Sequence, residues 1–113
     1  MKRGEIWTLA GGKDYAGKPR PVAIVQDDRF DKTASITVCA FTTNSADAPL
    51  FRIPVEPDAN NGLRLPCRLM VDKITTVPKS KLGTKVGRLA DEDIVRLNRA
   101  MVTFLGIAAP LGK

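Results

Sequence analysis

Apolar residues recur in two rhythms along this chain, and the change of rhythm divides it. Up to about residue 77 they come as short runs or strict alternation, the pattern of strands. From Ile94 onward they come every three or four positions, the pattern of a helix. A first strand is predicted over residues 4–10 (GEIWTLA), followed by a Gly-rich polar loop, AGGKDYAGKP. Arg20–Gln26 follows, and its unbroken VAIV core predicts a strand buried on both faces. Asp27–Lys32 reads as a turn, Ser35–Thr42 as a third, β-branched strand, and Thr43–Pro49 as a polar connection. Phe51, Ile53 and Val55 alternate with Arg52 and Pro54, which marks a half-buried strand with its proline at a sheet edge. The run DANNG, residues 58–62, is a turn, and Arg68–Val77 is the longest strand.

Ile94, Leu97, Met101, Phe104 and Leu105 then trace one helical stripe, starting from the acidic turn Asp91, Glu92, Asp93 and closing on Gly106 at a C-cap. The stripe is continuous enough to pack on the sheet or on a second copy of the chain. Five or so antiparallel strands and one terminal helix predict a mainly β, closed or half-closed small barrel with the helix laid against it. With 113 residues, the chain is expected to form a single domain over 1–113.

Composition changes this picture in three places. The formal charge of +6 favours an anionic partner. Arg64, Arg68, Lys73, Lys79, Lys81, Lys85 and Arg88 stand against one acid, Asp72, so residues 64–88 carry the whole excess, as an anion-binding face or simply a solvated one. The chain has no histidine, and Cys39 and Cys67 lack CxxC spacing, which argues against a zinc site. Both cysteines read as buried thiols in a reducing compartment, with a disulfide as the other reading. No apolar run approaches the length of a membrane span or a signal peptide core, so a cytosolic protein is expected.

Without histidine the commonest general acid and base is missing, and neither cysteine has a basic setting that would activate it. Electrostatic chemistry remains. Arg20 stands between Pro19 and Pro21, which hold the backbone extended, so its planar donor fork is presented from a stiff strand start. It serves either as a phosphate ligand or as a boundary charge. Thr42 ends the third strand. Asp72, on an apolar strand face with Met70 and Ile74, needs a partner, as an ion-paired structural acid or as part of a site.

The segments RGEIW (3–7), RPVAIVQDD (20–28), ITVCAFTTN (36–44) and VDKITTV (71–77) together resemble the MazF/PemK family of toxins, in the same order and over nearly the whole chain. The resemblance implies a small SH3-like barrel with a terminal helix, a homodimer, and cleavage of single-stranded RNA without a metal or cofactor. The 2′-hydroxyl would attack the neighbouring phosphodiester, leaving a 2′,3′-cyclic phosphate and a 5′-hydroxyl, so that translation and growth stop. Carried over by motif, Arg20 would stabilise the pentacoordinate phosphate and Thr42 would hydrogen-bond one of its oxygens. Asp72 falls on the family's acid and would support the site, as would Asp14 in the loop before Arg20.

This sequence departs from many relatives before the arginine, where Asp14-Tyr15-Ala16-Gly17-Lys18 replaces a loop with a glutamate, and at Met70, where some members carry a second arginine. Lys13, Tyr15 and Lys18 of that loop, with Thr43 and Asn44, are the expected RNA contacts, Tyr15 by stacking. Trp7, Phe41 and Phe104 are expected in the core. The resemblance also implies a cognate antitoxin whose acidic, disordered tail occupies the basic groove. The C-terminal third, CRLMVDKITTVPKSKLGTKVGRL and DIVRLNRAMVTFLGI, also resembles the CcdB family of gyrase poisons, with Leu105 in place of a tryptophan. An RNA-binding relative without catalysis is the third reading, because phosphate contacts alone supply affinity.

Overall fold

The computed structural model describes residues 1–11, 18–45 and 48–107. Six strands and one helix follow in chain order: β1 Glu5–Leu9, β2 Arg20–Ile24, β3 Ser35–Thr42, β4 Arg52–Val55, β5 Cys67–Pro78, β6 Leu82–Arg88 and α1 Asp91–Phe104. All pairings are antiparallel, in the order β4-β5-β3-β2-β1-β6. The expected mainly β architecture with a C-terminal helix is present. β6 (LGTKVGR) is the strand that the hydropathy pattern hides, because its two glycines and three polar residues break any alternation.

The sheet curls round one core. Ile6, Ala23, Val25, Cys39, Phe41, Ile53, Val55, Leu69 and Val71 meet Leu89 of the β6–α1 connection and Leu97 and Ala100 of α1 in a single buried cluster. Val86 of β6 packs against it, so strands from both edges share one interior. The connection after β4 closes much of the gap: Arg88 N–H donates to the Asn60 carbonyl at 2.9 Å. Asn61, fully buried, ties that connection together, accepting at Oδ1 from the N–H groups of Asp58 and Leu63 and donating from Nδ2 to the Glu56 carbonyl. Gly62 turns there with φ +70°, and an added Cβ would stand 2.3 Å from the Val86 carbonyl oxygen.

Val22, Ile24, Ile36, Val38 and Leu82 form a second, smaller cluster on the opposite face, so VAIV is buried on both faces as expected. Cys39 and Cys67 are buried free thiols. Phe41 is buried and Trp7 packs against the second cluster, but Phe104 is 48 % exposed and Leu105 56 %. The core expectation for Phe104 is therefore corrected: at the end of α1 it lies half exposed, its ring tilted against Phe51 with centroids 6.0 Å apart. Gly106 follows the helix at the expected place, its N–H bonded to the Thr103 carbonyl.

β4 forms one open edge, and that edge is blunted. Phe51 faces β5, because its carbonyl accepts from Val71 N–H, so Arg52 and Pro54 turn their backbone groups outward. The Arg52 N–H is taken by the Ala48 carbonyl, Pro54 has none, and the Pro54 carbonyl accepts from the Arg96 guanidinium.

Candidate functional site

The β2–β3 ladder stops at a missing donor, next to Arg20 and short of Thr42. β2 and β3 pair as Val22↔Ala40, Ala23↔Cys39 and Ile24↔Val38, and Val25 N–H donates to the Thr37 carbonyl at 3.1 Å. Bonds in such a ladder recur every second residue, so after Ala23 the next donor toward β3 is residue 21, a proline. The paired ladder ends at Val22, and the same register carried two residues further sets Arg20 across from Thr42. On its other side Arg20 pairs with Leu9, and Thr42 pairs with Arg68 of β5. A row Arg20, Thr42, Arg68 thus crosses three strands, on the face of the smaller cluster to which Val22, Ile24, Val38 and Ala40 also point.

Arg20 is exposed and Thr42 half-buried. The Thr42 hydroxyl oxygen accepts from Asn44 N–H at 3.1 Å, which fixes the oxygen and leaves its hydrogen to be donated elsewhere. Thr43, Asn44 and Lys18 are exposed around this strand end. Lys13, Asp14 and Tyr15 lie outside the described residues.

Asp72 is held by Arg52, whose Nε and Nη2 donate to its two carboxylate oxygens at 2.8 and 3.0 Å. That pair keeps the Asp72 carboxyl below its ordinary range and the guanidinium above its own. Met70, where some relatives carry an arginine, is buried and pairs in register with Arg52. The cation beside the acid comes from the neighbouring strand. The Cys39 thiol is pushed up to about 12, first by burial and then by the Asp72 charge, so it is no nucleophile near neutral pH.

Two cavities open near the row. One of about 150 Å³ is lined by Thr42, Asn44, Ser45, Glu56, Cys67 and Arg68, among others. A wider cleft of about 480 Å³ runs between β4 and α1, with Arg52, Arg68, Arg96 and Arg99 on its walls beside Leu50 and Ile53. Arg68 lines both. Neither Arg68 nor Arg52 is singled out by motif: Arg68 stands in the basic stretch 64–88, but its place beside Thr42 depends on an irregularity in the β3–β5 register between Cys39 and Phe41.

The fold and site together define a small curled-sheet protein whose strand end presents an arginine and an oriented hydroxyl in one row. The family model of PemK-like, MazF-like toxins of type II toxin-antitoxin systems matches residues 2–105, and the chain belongs to this family. It is 58 % identical over 108 residues to a probable endoribonuclease MazF of Mycolicibacterium smegmatis, covering 96 % of this chain and 99 % of that protein. Endoribonuclease EndoA of Bacillus subtilis is 27 % identical over 115 residues, with 95 % and 96 % covered. A mycobacterial endoribonuclease solved with its cognate antitoxin shares the fold, with a TM-score of 0.80 at 24 % identity over 97 % of this chain and 99 % of that one.

Proposed function

We propose that this chain is a toxin endoribonuclease that cuts single-stranded RNA by attack of a 2′-hydroxyl on the adjacent phosphodiester, releasing a 2′,3′-cyclic phosphate and a 5′-hydroxyl end. The observation that supports the reading is the ladder that ends at Val22, whose register carried two residues further matches Arg20 with Thr42. In this role the Arg20 fork donates to the non-bridging oxygens and stabilises the charge that builds on them as the fifth bond forms. The Thr42 hydroxyl, steadied by Asn44 N–H, donates to a third position on the same phosphate. Lys18, Thr43 and Asn44, with Lys13 and Tyr15, contact the flanking RNA, and Asp14 belongs to the same loop. Asp72 supports the sheet beneath the site through Arg52.

A cognate antitoxin neutralises the toxin by laying an acidic segment along the basic surface, and the cleft bearing four arginines and apolar walls suits such a segment. The toxin is a homodimer acting in the cytoplasm. Support for the dimer is the apolar surface at the end of α1, where Leu105 and Ile107 stand exposed. The deciding experiment is incubation of the wild type and Arg20→Ala with a mixed-sequence single-stranded RNA in EDTA, followed by end-group mapping. Discrete cuts with cyclic-phosphate ends, lost in the variant while its circular dichroism is unchanged, are expected. No cleavage by a folded wild type overturns the reading, and a supercoiling assay then tests the gyrase alternative.

A further inference from the structure

We propose that the small cavity beside Thr42 is a base-reading pocket in which Glu56 selects guanine in the nucleotide next to the cleaved phosphate. This rests on the ribonuclease reading above. Glu56 follows Val55, which points into the main core, so strand alternation turns the Glu56 side chain to the face that carries Pro54, Arg68 and Thr42. Among the described residues it joins no ion pair. Its backbone is nevertheless fixed, because its carbonyl accepts from the buried Asn61 amide at 2.8 Å. The result is an exposed carboxylate just past the end of β4, on the wall of a cavity that Thr42, Thr43, Asn44 and Ser45 also line.

At about 150 Å³ the cavity would hold about five waters, or one heterocyclic base in their place. Thr42 is part of its wall, so a nucleotide whose phosphate rests on Thr42 has its neighbour's base at the mouth. A carboxylate offers acceptors only. Guanine alone presents two adjacent N–H donors on its Watson–Crick edge. Cytosine and adenine offer one amino group beside a ring acceptor, and uracil flanks its single N–H with two carbonyls that the carboxylate repels.

The test pairs binding with cleavage. Anisotropy titrations use short 2′-O-methyl RNAs, which cannot be cut, differing only in the base beside the target linkage, against wild type and Glu56→Gln. The wild type should favour guanine, and the variant should lose about 10- to 100-fold of that preference, since the amide cannot accept two donors. Cleavage of matched RNA libraries should relax at the same position while the rate on other sequences holds. A wild type that cuts without preference for guanine there, or a variant that keeps the preference, overturns the pocket and leaves the ribonuclease reading standing. A uniform loss of rate on every sequence also overturns it, placing Glu56 in proton transfer. A wild type that cuts no RNA overturns both.

Discussion

A proline stands where the β2–β3 ladder ends, one residue after Arg20. Pro21→Ala restores the donor and should extend the ladder by one bond, drawing the two strand ends together; cleavage should fall about tenfold or more while the thermal midpoint holds or rises. Asp72→Asn should lower the unfolding free energy by about 2 kcal/mol, read from urea titration, because the half-buried Arg52 guanidinium loses a charged partner on both nitrogens. Glu5 gives the acid response. Burial alone would raise its carboxyl, but Lys2 N–H, the Trp7 indole and Lys85 donate to it and bring it down from 4.5 to about 2. Its folded value lies below its unfolded one, so its stabilisation is complete above 4.5 and drains as pH falls toward 2. Glu5→Gln should flatten the fall of the urea midpoint across that window, with Asp72 leaving a remainder of the same sign. Arg20 and Thr42 were legible from motif and Asp72 from its solitary charge on an apolar face. Arg68, Arg52 and Glu56 were not, because each depends on which strands lie side by side.

At the scale of elements, the chain announces what is apolar and conceals what is held by neighbours. VAIV and the stripe from Ile94 name their structures through periodicity. β6 does not, since it is ordered by pairing with β1 and by the close seat of the β4–β5 connection against it. That seat is sensitive to a single methyl. Gly62→Ala must take a Cβ at φ +70° against the Val86 carbonyl, and should cost more than about 1 kcal/mol, seen as a thermal midpoint lower by several degrees. The misplacement of Phe104 has the same origin: helical spacing says which residues share a stripe, but not how many of them the rest of the fold covers.

For the whole molecule, charge and assembly remain the properties to measure. Light scattering should give twice the 12.3 kDa chain mass, and Ile107→Asp should reduce it if the apolar end of α1 is the contact. The blunted edge of β4 bears on how anything long and unstructured can adhere here. A disordered acidic chain arriving at that edge finds no row of idle amides to zip against, so it must be caught by the guanidinium groups and apolar walls of the cleft rather than by strand pairing. Such capture loosens as salt rises. The same closure denies a second copy of the chain a template for strand pairing at this edge.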